Sequence, residues 1–269
     1  MRTSAIPAPH VLPEQAPTPA QRARLEMRSG RFREITRGVA LGYVQCALVT
    51  LPQRHAFDFL LYCQRNSRAC PVLEVTDPGA YEPRRCAPGA DLRTDLPLYS
   101  VYREGRRMED VPDIKHLWRD DFVSFLIGSG ITFDQALERA GVPTTKNRWV
   151  LNTKTETEPA GIFKGPLVVT MRWLTPEQAI TAVQVTSRFP FNHGAPIHTG
   201  DPAVLGCDLA HPIVGQPVAR VPQDMVSLFW ACSVTPQAVA VAAKVELMIT
   251  SAPSYGFITD LEADKICTP

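Results

Sequence analysis

GYVQCALVTLPQRHAFDFLLYCQRNSRACPVLEVT, residues Gly42–Thr76, reads as strand, helix and strand in succession. Gly42–Leu51 is apolar and β-branched and is bounded by Gly and Pro, the pattern of a buried strand. Gln53–Asn66 predicts a helix with Ala56, Leu60 and Cys63 on one face, flanked by Phe57 and Leu61. Pro71–Thr76 is a short strand that runs into Asp77-Pro78-Gly79, a turn signal. This order suggests a βαβ unit and therefore an α/β fold.

Towards the N-terminus, residues 1–17 hold four Pro and little apolar content and read as a flexible tail. Thr18-Pro19 then opens a helix that runs to Gly30, with Thr as cap and Pro in the first turn. Its Arg-rich face is suited to solvent, and a homo-oligomer contact is the other use open to it. Towards the C-terminus, Leu98–Arg103 and Arg107–Val111 form a hairpin turning at Glu104-Gly105. Trp118–Ile127 reads as a helix with Trp118, Phe122, Phe125 and Leu126 inward, and Arg119, Asp120 and Asp121 in its first turn. Thr132–Ala140 carries a capping-box pattern, Thr132 with Gln135, and a Gly141 stop. Lys146–Glu158 is polar, lacks either period and reads as a loop. Gly165–Trp173 is a strand, followed by a helix capped at Thr175 with Ala179, Ile180 and Val183 inward. Ser227–Val234 is a strand, Thr235-Pro236-Gln237 caps the helix after it, and Glu246–Thr250 and Gly256–Asp260 are closing strands.

A chain of 269 residues, 45% hydrophobic and 20% charged, is long enough for one large or two smaller domains. A net charge of +1 gives no bulk attraction to nucleic acid or an anionic membrane. Neither a membrane-length apolar run nor a secretory leader is apparent. The seven Cys are irregularly spaced without C-x-x-C, which argues against a disulfide framework or structural zinc and fits a reducing cytoplasm.

The candidate chemistry gathers in TSRFPFNHGAPIHTGDP, Thr186–Pro202. Pro and Gly break any helix there, while Arg188, His193, His198 and Asp201 fall within one short loop. Such a loop can hold a small anion and move its protons; it is equally a turn whose imidazoles are satisfied by hydrogen bonds. His193 and His198 with Asp201 match no standard metal spacing, so acid–base work is preferred to a metal site. Cys232 closes a predicted strand three residues before a helix cap. With Ser233 and Thr235 it suggests a nucleophile or an oxyanion site, or else a packed small hydrophobe. Arg93, Thr94, Asp95, Arg119, Ser187 and Arg188 are further candidates for binding a carboxylate, Arg93 having an internal ion pair as its alternative. No phosphate loop and no aromatic–basic pattern for single-stranded nucleic acid is present.

GYVQ at Gly42–Gln45, AFDFLLYCQRN at Ala56–Asn66, CPVLEVTDPG at Cys70–Gly79 and ADLRTDLPLYSVYREG at Ala90–Gly105 resemble the D-glutamate cyclase family. So do LWRDDFVSFLIG at Leu117–Gly128, PAGIFKGPLVVTMR at Pro159–Arg172, TSRFPFNHGAPIHTGDP, and FWACSVTPQ at Phe229–Gln237. The resemblance spans roughly Arg22 to Asp260. It implies a cytoplasmic, cofactor-independent lyase acting on a small carboxylated amino acid, with closure of D-glutamate to 5-oxo-D-proline and loss of water as the type reaction. It also implies a layered α/β sandwich with a mixed sheet plus a smaller α+β subdomain. We place these at residues 18–110 and 162–269, and at 111–161, respectively.

This sequence departs from the family's pattern at polar motif positions. Thr250–Asp260 reads TSAPSYGFITD where THAPGHMFVTD is common, so Ser251 and Tyr255 stand in place of two histidines. Cys46-Ala47 follows Gln45 where an Ala-Asn pair is common, Ile127–Asp134 reads IGSGITFD where GCSFSFE is usual, and Trp149–Glu158 replaces a segment with a Tyr, an Asn and a Cys. Two functions follow as expectations: a hydro-lyase or cyclase with a diverged substrate, or a non-catalytic binding protein that keeps the pocket.

Overall fold

In the computed structural model, which describes residues 16–145 and 147–268, two antiparallel sheets are flanked by helices. The expected 1–17 tail lies almost wholly outside the described residues. The seven-stranded sheet contains β1 (Tyr43–Pro52), β2 (Val72–Val75), β3 (Tyr99–Arg103), β4 (Arg106–Val111), β5 (Phe122–Gly128), β10 (Met248–Ser251) and β11 (Phe257–Glu262), in the order β2-β5-β1-β10-β3-β4. β11 shares the β10 edge of β1. The four-stranded sheet is ordered β6 (Trp149–Glu156), β7 (Pro166–Leu174), β9 (Val226–Ala231) and β8 (His198–Thr199).

The helices are α1 (Pro19–Arg28), α2 (Gln53–Arg65), α3 (Asp134–Arg139), α4 (Pro176–Ser187), α5 (Thr235–Ala243) and the short α6 (Ala263–Ile266). The layered α/β class expected from the sequence is the one present. The mixed sheet is not, because every pairing between these strands is antiparallel. The strand–helix–strand reading of 42–76 has its elements right, but β5 sits between β1 and β2 and pairs with both. β1 and β2 therefore run parallel without touching. The 111–161 segment does not stand apart, since β5 lies inside the large sheet and β6 opens the small one.

The helix expected at Trp118–Ile127 is instead the interior strand β5. Phe122 and Leu126 enter one core layer while Val123, Phe125 and Ile127 enter the other, so both faces are buried and no alternation of polarity marks it. The loop expected at 146–158 contains β6, whose outer half exposes its polar side chains. α2 turns Phe59, Tyr62 and Cys63 inward and leaves Phe57 73% exposed, one step round from the expected face. α4 likewise buries Ala179, Ala182 and Thr186 and exposes Ile180 and Val183. The expected hairpin forms, with positive φ at both Glu104 and Gly105, as a tight turn between right-twisted strands requires.

Two capping readings also differ, those of Thr132 and of Thr235, the latter standing inside α5 behind Val234, which makes no side-chain cap. Thr18 and Thr175 make full capping boxes. Thr132 does not cap α3, because its hydroxyl accepts the Gln45 N–H (3.0 Å) and the Asn192 amide (3.0 Å). No described helix is long and apolar enough to cross a membrane.

Candidate active site

A cleft opens where the four-stranded sheet faces the chain leaving β5. Side chains alternate along a strand, and Thr170 pairs with Trp230 and Val150, which puts one set on a common face. That face supplies Arg148, Thr170, Arg172, Trp230 and Cys232; the opposite wall is Ser129–Ile131 and Phe133, with His193 and Ser254 beside them. The cleft is narrow, with a cavity volume of about 40 Å³. A second, smaller lobe of about 20 Å³ shares Ser129, Ile131, Ser233, Val234 and Ser254 with it and adds Ala47, Ser251 and Tyr255.

His193 is held in place by its loop. A single turn at Pro190–Asn192 ends at His193 in the left-handed region, φ 78°. The buried Asn192 amide donates to the Ser129 carbonyl (3.1 Å) and to Thr132 Oγ1. The loop crosses β5 so closely that a Cβ at Gly128 would lie 1.8 Å from the Phe191 carbonyl oxygen. The imidazole is 2% exposed, with Nδ1 2.8 Å from the Arg68 carbonyl. A carbonyl can only accept, so Nδ1 carries the hydrogen and Nε2 keeps its lone pair. Burial pulls the His193 pKa down to about 4, the Arg68 carbonyl bond opposing and the Arg68 charge assisting. At neutral pH this side chain is an uncharged base.

Opposite it lies a cluster of guanidiniums. Arg172, buried on β7, pairs with Asp134 at the start of α3, and the second carboxylate oxygen of Asp134 lies 3.0 Å from Arg37. The Thr144 carbonyl accepts hydrogen bonds from both arginines. Burial lowers the Arg37 pKa to about 10 against the pull of Asp134, with Arg148 and Arg172 adding to the fall. Arg148 lines the cleft without an ion pair or hydrogen bond to another described residue. Burial lowers its pKa too, while the Cys232 thiol favours its charge. With Asp134 shared by Arg37 and Arg172, the charge of Arg148 is the one left for an anion entering the cleft.

Cys232 follows β9 and is 5% exposed. The buried Thr235 hydroxyl donates to the Cys232 carbonyl (2.7 Å) and accepts the Val168 N–H (3.2 Å), which fixes the turn into α5. The N–H groups of Ser233 and Val234 donate to no other described residue. Both residues line the cleft at the positive end of a nine-residue helix, where backbone donors suit a developing oxyanion.

The candidates read from sequence thus separate. His193, Cys232 and Ser233 meet at the cleft, with Thr235 behind them. His198 pairs with Phe229 across β8–β9, on the face opposite Trp230 and Cys232, and its Nε2 lies 3.2 Å from the Asp201 carbonyl. The Asp201 carboxylate caps a turn at Ala203. Ser187 bonds back to Gln184, and Arg188 reaches the Thr268 carbonyl. Arg93 is paired with Asp91 and stacked 3.6 Å over Tyr81. Asp95 holds Arg28 at 2.6 Å and accepts the Thr94 hydroxyl, and Arg119 pairs with Asp121. None of these residues lines the cleft, and most of their contacts are local ones within a turn or a helix. Among the described residues, no three His, Cys, Asp or Glu side chains converge as metal ligands would.

Arg148, Arg172, Arg37 and Asp134 were not candidates from sequence. Arg172 did carry a signal, a charge on the inward face of an otherwise apolar strand, whereas Arg148 was lost in a segment read as loop. The widest concavity lies elsewhere, an open groove lined by Lys154, Asp201, Arg220 and apolar residues of 202–226. It gathers no buried base and no cationic cluster, so the smaller cleft is the candidate site.

The family described as D-glutamate cyclase matches residues 123–260. The chain is 49% identical to a "Putative hydro-lyase" of Stutzerimonas stutzeri, over 90% of this chain and 94% of that protein. It is 48% identical to a protein of the same designation from Geobacillus kaustophilus, over 93% and 97%, and 45% identical to one from Bacillus subtilis, over 90% and 96%. A solved nitrogen repressor-like protein of Methanococcus jannaschii aligns with a TM-score of 0.39 at 11% identity, covering 88% of this chain and 94% of that one. That likeness is too distant to bear on fold or site.

Proposed function

This chain belongs to the D-glutamate cyclase family, and from that premise we propose that the cleft removes one molecule of water from a small carboxylated amino acid. In the family's type reaction the amine nitrogen bonds to the side-chain carboxyl carbon, one C–O bond of that carboxyl breaks, and the oxygen leaves as water. A base must take a proton from the amine, an acid must return one to the departing hydroxyl, and donors must hold the oxyanion between the two steps.

His193 Nε2 is the base and, once protonated, the acid. Arg148 holds the α-carboxylate, and the Ser233 and Val234 N–H groups receive the oxyanion. The Cys232 thiol lies beside Arg148 as a second proton carrier. The observation that carries this reading is the neutral, tautomer-fixed His193 in a cleft that also holds an uncompensated guanidinium.

The second reading is a binding protein that keeps the anion clamp without turnover. It is favoured by the presence of Ser251 and Tyr255 in the cleft lining at positions where the family pattern has histidines. Mass spectrometry for loss of one water, from D- and L-glutamate and a panel of amino and hydroxy acids, with a chelator in parallel, separates the two. Water loss that disappears in His193→Asn supports the enzyme. Thermal stabilisation by one of the compounds without water loss supports the binding protein.

A further inference from the structure

The two lobes of the cleft differ in charge. The first holds Arg148, Arg172 and His193. The second, running from Ser129 and Val234 to Ala47, Ser251, Pro253 and Tyr255, is lined by no Lys, Arg, His, Asp or Glu. Its polar groups are mostly engaged already. Ser251 Oγ accepts the Leu48 N–H (3.2 Å), and the Gln237 amide donates to the Ser251 carbonyl (2.8 Å). Five of the positions at which the sequence leaves the family pattern, Ala47, Ser129, Ile131, Ser251 and Tyr255, fall on this lobe.

We infer that the substrate carries a single carboxylate, held by Arg148, and an uncharged side chain whose end faces the second lobe. The inference rests on the reading of Arg148 given above. A second ionised carboxylate would enter a narrow lobe with no cation to meet it, and a charge taken from water without a partner is disfavoured by several powers of ten in binding. A hydroxyl, which can leave as water, meets no such penalty and can bond to the Tyr255 and Ser254 hydroxyls, while an amide or a short alkyl chain serves as an uncharged binding probe of the lobe. Glutamate fits only with its side-chain carboxyl protonated.

The test is calorimetric titration of the wild-type protein near neutral pH with both enantiomers of glutamate, glutamine and 2-aminopentanoate. At least one uncharged-tail acid is expected to bind ten-fold or more tightly than either enantiomer of glutamate. Tyr255→Lys, which adds an ammonium at a half-exposed position of the lobe, is expected to shift the preference back towards glutamate. Glutamate binding to the wild type as tightly as its uncharged analogues overturns the inference and leaves the Arg148 clamp standing. If Arg148→Met leaves every affinity unchanged, or no acid in the series binds, the clamp reading fails and this inference fails with it.

Discussion

Holding His193 neutral makes the fold sensitive to acid in a window that can be stated in advance. Its folded pKa is about 4, below the ordinary value of about 6.5 for an exposed imidazole. Between these values the unfolded chain takes up a proton that the folded protein refuses, so the contribution is fully present above pH ~6.5 and is lost as the pH falls towards ~4. For a folded pKa of about 4, linkage gives a loss of about 1.2 kcal/mol at pH 5.5 and about 2.4 kcal/mol at pH 4.5, relative to neutrality.

Carboxylates titrate in the same range, so the informative quantity is the difference between the wild type and a variant without the imidazole. Asn is the suitable replacement, since it tolerates the positive φ at this position and its amide can still donate to the Arg68 carbonyl. Urea unfolding of both proteins at neutral pH and at pH 4.5 should show the wild type losing about 2–3 kcal/mol more than His193→Asn. Parallel losses would mean that His193 titrates like an exposed histidine, and its role as an uncharged base would fall with that.

The same pKa places the acid limb of kcat/KM near pH 4 rather than near 6.5, readable from a pH–rate profile on any substrate that turns over. Arg148→Met should weaken binding of the accepted carboxylate about 10- to 100-fold, measured by calorimetry, with little change in melting temperature. Asp134→Asn leaves Arg172 and Arg37 without their shared counter-charge and should cost about 3–5 kcal/mol in denaturant unfolding. Gly128→Ala should destabilise by about 3 kcal/mol, because the Phe191 carbonyl occupies the place of the new methyl, and should lower activity by moving His193.

Much of the fold was legible in the residues. Gly and Pro punctuation marked β1, α2, β2 and the β3–β4 hairpin, and Thr-Pro pairs marked the starts of α1 and α4. β5 was misread because a strand buried on both faces shows no alternation, and its aromatic run also satisfies a helical period. β6 was misread because a strand at a sheet edge keeps polar side chains that resemble a loop. The site was legible where chemistry and backbone signals coincide. His193 lies among Pro and Gly that fix its loop, and Cys232 lies at a strand end before a helix. His198 and Asp201 share that loop in sequence, but β8 turns His198 onto the far face of the sheet and Asp201 caps the turn that follows. The guanidinium cluster was not legible, because Arg37, Asp134, Arg148 and Arg172 come from segments far apart in the chain and only the docking of two sheets joins them.

The place of β1 in the large sheet bears on how this chain comes to be folded. One edge of β1 waits for β5, and the other waits for β10 and β11, so Thr50 meets Ile249, which lies far along the chain. Until the last strands exist, an apolar strand made early has an unsatisfied backbone edge, which is the condition under which chains associate with one another. Contacts of such long sequence separation make folding slow. A chain ending before β10 would keep α1 to α5 and most of the strands, yet would present that open edge permanently. Loss of the C-terminal strands should therefore appear as aggregation during expression rather than as a smaller soluble protein.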